Sequence, residues 1–134
     1  MDYPEQVLKH FDQPAGAGHF PSGAGVLITG QAGSMDAGVH LCFELRVDRE
    51  RISDLGYRVY GCPYVIAACS LVAGRLVGQP LAALAGVDPA ELARALEAPA
   101  HKLGALLRIQ DALRNCMQAW ENNRLAGTDT GRSE

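Results

Sequence analysis

The residues around Gly61 constrain this chain more than any others. Up to Tyr60 the sequence alternates. Leu41, Phe43, Leu45 and Val47 take one face of an extended segment, and His40, Cys42, Glu44 and Arg46 take the other. Leu55, Tyr57 and Val59 then alternate against Gly56, Arg58 and Tyr60. Over residues 63–77 the pattern changes to apolar almost all round, which predicts a helix buried against a sheet. The switch from period two to helix happens within Gly61-Cys62-Pro63. Pro63 suits a first helical position, where its missing N–H costs nothing, so Cys62 falls at the N-cap. A thiol there lies among unpaired backbone N–H groups at the positive end of the helix dipole. Cysteines that bind metal or attack sulfur use such settings. The plainer alternative is a small residue that caps a helix and does no chemistry.

The rest of the chain builds one α+β domain around that switch. At 134 residues a single domain is expected, over 1–126, with 127–134 as a disordered polar tail. Residues 4–11 predict a first helix with Val7, Leu8 and Phe11 on one face. Residues 15–25 are a glycine-rich loop, without the Gly-Lys-Ser/Thr that a phosphate cradle needs. Residues 26–29 read as the first strand and 30–38 as a second, mobile loop. Residues 39–47 and 52–60 make the next two strands around Asp48-Arg49-Glu50, giving a three-stranded antiparallel meander. Gly78-Gln79-Pro80 stops the buried helix, and residues 81–85 form one short helical turn. Asp88, Pro89 and Glu91 spell a capping box for a helix to about Leu96. Pro99 opens a long amphipathic C-terminal helix through Leu103, Leu106, Leu107, Ile109 or Gln110, Leu113, Met117 and Trp120.

Composition narrows the function classes. A net charge of −3 implies no general affinity for nucleic acid. No apolar run is long enough to span a bilayer, and from its polar, acidic start no leader sequence is expected. Cys42, Cys62, Cys69 and Cys116 form no CxxC pair, which argues against a zinc ribbon or a thioredoxin-like motif. A reduced, cytoplasmic protein is the expectation. No nucleophile–base–orienter set is visible, so an enzyme is not expected.

An ordered series of short matches identifies a family. They are Tyr3-Pro4 with Val7-Leu8-Lys9-His10-Phe11-Asp12-Gln13-Pro14, Leu45-Arg46-Val47-Asp48, Ile52-Ser53-Asp54, and Tyr60-Gly61-Cys62. Ile66-Ala67, Ser70-Leu71, Leu96-Glu97-Ala98-Pro99 and Lys102 follow. Over about residues 3–120 the chain resembles the iron–sulfur cluster assembly scaffolds of the IscU/NifU N-terminal type. The resemblance implies the same α+β fold. It also implies a zinc ion or nascent cluster held by three cysteines with a nearby aspartate or histidine. The cysteine and aspartate of the family's Cys-Gly-Asp fall on Ala37 and Val39, with Gly38 between, and its His-Cys falls on Gly104-Ala105. Cys62 alone matches a ligand. Fewer than four donors hold neither a cluster nor a structural zinc, so the cofactor is left unassigned.

Three readings follow. The first is a degenerate family member acting as an accessory factor in iron–sulfur biogenesis, with Cys62 accepting sulfur or touching partners. The second is a true scaffold with a rewired site, from Cys62, His101 and Asp36 or shared across a dimer. The third is an interaction module that competes for scaffold partners. Cysteine desulfurase and other assembly proteins are the partners the resemblance implies. The family's segment for an Hsp70-type chaperone keeps only Pro99 and Lys102 here, so that partner is in doubt.

Overall fold

A computed structural model describes residues 3–12 and 15–131. Its order is α1 (Glu5–Asp12), β1 (Val26–Ser34), β2 (Val39–Asp48), β3 (Arg51–Tyr60), α2 (Pro63–Leu76), α3 (Pro89–Leu96) and α4 (Leu103–Gly131). Short 3-10 turns at Leu81–Gly86 and Ala100–Lys102 precede α3 and α4. The three strands form an antiparallel sheet in the order β1-β2-β3, as the alternation predicts.

The register puts one apolar face together. Leu41 opposes Val59, Phe43 opposes Tyr57, and Leu45 opposes Leu55. The side chains of Leu41, Phe43 and Leu45 are fully buried beneath the helices. Burying a side chain of this size stabilises by about 1.5–3 kcal/mol, so this row accounts for much of the core. α4 packs along β1 and β2, α2 along β3, α1 on α2, and α3 on α4. Ser53 is an extra residue where the β2–β3 register shifts beside Arg46 and Val47. Its hydroxyl donates to Arg46 O at 3.2 Å. The β2–β3 turn holds Arg49 and Glu50 at φ 54° and 61°, the left-handed pair that matches the twist of a two-residue hairpin.

The first strand is longer than the sequence suggests. β1 continues through Gly30 to Ser34, so only residues 35–38 form a turn. The glycines misled because Gly30 does not loosen the chain there. A Cβ at Gly30 would lie 2.3 Å from Ala112 O and 2.5 Å from Cys116 N. Its bare backbone is what lets α4 lie directly on the strand. The loop 15–25 is likewise put to use beside the sheet. Gly18 N donates to Tyr57 O at 2.9 Å, and Tyr57 N to Gly16 O at 3.1 Å, pairing part of the free edge of β3.

The helix ends differ in detail from the sequence pattern. Asp88 caps α3 by accepting from Ala90 N at 3.0 Å. Glu91 does not close a box. Arg75 of α2 holds it through two hydrogen bonds of 2.6 and 3.1 Å. Pro99 caps a 3-10 turn, and α4 starts at Leu103. Leu106, Ile109 and Leu113 are buried, whereas Leu103 and Leu107 are each 37% exposed. The α4 backbone runs on to Gly131 through part of the expected tail, and residues 132–134 lie outside the described residues. No described helix is long and apolar enough to cross a membrane.

Candidate functional site

Cys62 stands where the sequence predicts, at the N-cap of α2 with Pro63 next. Its backbone is extended (φ −76°, ψ 168°), and its carbonyl accepts from Ile66 N at 3.1 Å. The thiol makes no capping hydrogen bond. It is half-buried and free, so capping does not occupy the sulfur.

The four positions on which the resemblance places the family's ligands converge. Ala37, Val39, Gly104 and Ala105 all line one open cavity of about 550 Å3 between the β1–β2 turn and the first turns of α4. The turn is held by Gly38 N donating to Met35 O at 3.0 Å and by Ala37 N donating to Ser34 Oγ at 3.1 Å. Gly33, Ser34 and Arg108 complete the walls. Sequence reasoning missed Arg108. The signal was present, since Arg108 lies four residues past Gly104 and shares its helix face. Arg108 pairs with Asp111 at 3.1 Å.

Cys62 is not among the residues that line this space, and neither are the other candidates. Asp36 is exposed in the 35–38 turn, and His101 is exposed in the 3-10 turn before α4. Pro99 is exposed, and its carbonyl accepts from the half-buried Lys102 N at 2.9 Å. Among the described residues, no three His, Cys, Asp or Glu side chains come together as a group that could hold a metal ion. The cavity walls supply no thiolate, imidazole or carboxylate. They supply a guanidinium, whose charge opposes a cation. These walls do not fit a cluster or zinc ion.

The remaining cysteines are placed for packing. Cys69 and Cys116 are fully buried, and burial pushes both thiols up, that of Cys116 to about 12. Cys42 lies on the outer sheet face beside the Glu44–Arg58 ion pair at 2.9 Å. Burial is the main cause that raises its thiol too. Two histidines have side-chain partners. His10 Nδ1 lies 2.8 Å from Ser70 Oγ of α2, and His19 Nε2 lies 2.8 Å from Asp54 Oδ2.

Residues 2–126 match the family described as NifU-like N terminal domain. The chain belongs to that family. Among its relatives, the iron-sulfur cluster assembly scaffold protein IscU of Escherichia coli K12 is 27% identical over 127 residues, covering 94% of this chain and 99% of that protein. Iron-sulfur cluster assembly protein 2 of Arabidopsis thaliana is 26% identical over 123 residues, covering 91% of this chain and 76% of that protein. Solved structures share the fold. The N-terminal NifU-like protein from Brucella abortus superimposes with a TM-score of 0.66 at 16% identity, covering 89% of this chain and 94% of that one. A putative scaffold protein for the SUF system from Fervidobacterium islandicum gives 0.61 at 11% identity, covering 84% and 93%. This NifU-like domain therefore keeps the family's architecture.

Proposed function

We propose that this NifU-like domain is an accessory factor of iron–sulfur cluster biogenesis, using Cys62 as a sulfur-accepting or partner-contacting thiol. In this reading the chain does not assemble a cluster on the family's ligand set. The observation that carries it is the cavity itself, with Ala37, Val39, Gly104 and Ala105 as walls and Arg108 as their one ionised side chain. A cluster needs several thiolates, whereas accepting sulfur needs only one. The Cys62 sulfur attacks the outer sulfur of a donor persulfide, a new S–S bond forms, and the donor's S–S bond breaks. The electron pair of the broken bond leaves on the donor thiolate, so no outside oxidant or reductant is required.

The partners this supports are a cysteine desulfurase as sulfur source and other assembly proteins that recognise the shared fold. Pro99 and Lys102, beside the cavity's α4 wall, belong to the proposed contact surface. The test is incubation with iron, cysteine and a cysteine desulfurase, reading the visible spectrum and the mass of the Cys62 peptide. One added sulfur on Cys62 with no cluster absorption is expected. Cluster absorption that is lost in Cys62→Ser favours a remodelled scaffold instead. Neither product leaves a purely partner-binding role.

A further inference from the structure

The cavity's polar walls offer more than an absence of metal ligands. Of the walls, Arg108 alone carries a full charge. Asp111 takes one of its nitrogens, Nη1, at 3.1 Å. A guanidinium has five N–H donors in a fixed fork, so donors remain for an occupant. Ser34 Oγ already accepts from Ala37 N at 3.1 Å, which leaves its hydroxyl hydrogen to donate. The polar wall side chains thus offer donors and a positive charge. The rest of the lining includes Val39, Ala37 and Ala105, whose side chains cannot replace water around a strongly hydrated ion. Guanidinium is itself weakly hydrated and pairs with anions at low desolvation cost.

We propose that this cavity binds a small sulfur-bearing anion on Arg108 and turns metal cations away. The choice of sulfur as charge carrier rests on the sulfur-handling reading above. The sign of the charge rests on Arg108. A diffuse, sulfur-borne charge loses less hydration against apolar walls than a compact oxyanion of equal charge. The site then discriminates between two dianions of one shape, thiosulfate and sulfate.

The test titrates each salt into isotope-labelled protein at constant ionic strength and follows the backbone amides by NMR. Thiosulfate is expected to shift the amides of Ala37, Gly104 and Ala105 saturably, and to bind at least about fivefold more tightly than sulfate. Arg108→Gln is expected to weaken thiosulfate by about tenfold or more, with Arg108→Lys retaining part of the affinity. Cys62→Ser is expected to bind thiosulfate as the unaltered chain does, which separates this site from sulfur acceptance. If thiosulfate binds in this way but Cys62 takes no sulfur from a desulfurase, the cavity inference stands and the sulfur-accepting role of Cys62 falls. No saturable shift, equal affinity for sulfate, or an Arg108→Gln variant that binds normally would each overturn the inference.

Discussion

The body of α2 and its N-terminal end treat their polar groups in opposite ways. In the body, Ser70 is fully buried, and its hydroxyl meets both His10 Nδ1 at 2.8 Å and Ala15 N at 2.9 Å. Near the C-terminal end, Arg75 grips Glu91 through two nitrogens. At the N-terminal end, Cys62 makes no capping bond with its side chain. The neighbouring cavity is walled by small residues and one guanidinium. Polar pairing in the body fixes the fold. The open end can change its chemistry without disturbing that frame, which is how one family architecture can carry a different site.

Four changes bear on this contrast. The largest effect is expected from refurnishing the open end. Ala37→Cys, Val39→Asp and Ala105→Cys supply three donors that with Cys62 make four, the count a zinc site needs. Combined with Arg108→Leu, these substitutions should convert the chain to stoichiometric zinc binding by metal analysis, and binding should be weaker with Arg108 kept. No zinc in either background would mean that the four positions do not meet closely enough. Next comes the frame. Phe43→Ala should cost about 3–5 kcal/mol in urea unfolding, because its ring is fully buried between sheet and helices. A loss under about 1 kcal/mol would contradict the core described above.

A smaller effect is expected from His10. Burial, then Lys9 and Arg75, hold its imidazole below the usual histidine value of 6.5. Unfolding releases it to take a proton, so stability is full above that value and falls as pH drops below it, until the lowered folded value is passed. His10→Gln should flatten this slope in unfolding midpoints measured between neutral and mildly acid pH. An unchanged slope would remove His10 as its cause. The smallest effect belongs to the open end itself. Cys62→Ser and Arg108→Gln should each shift stability by no more than about 0.5 kcal/mol, as substitutions outside the core do. A large loss from either would make that end part of the frame.

What could be read from sequence follows the same division. The β2 and β3 faces were legible because burial on one side imposes a strict period of two, and Leu41, Phe43, Leu45 and Val47 obey it. The Cys62 cap was legible because Pro63 fixes the helix start locally. Gly30 was misread because its reason lies in α4, more than eighty residues away in the chain. Glu91 was misread because Arg75, on another helix, outcompetes the local cap. The convergence of Ala37, Val39, Gly104 and Ala105 came from alignment to the family's ligand positions and not from any local pattern. Arg108 escaped because only the folded turn shows which space the first turns of α4 face.

The proposed accessory role requires that the chain hold no iron or zinc of its own. Iron and zinc analysis of protein purified freshly under anaerobic conditions tests it most directly. Neither metal is expected in stoichiometric amount, and Cys62→Ser should give the same result. One iron or zinc per chain, lost in Cys62→Ser, would contradict it.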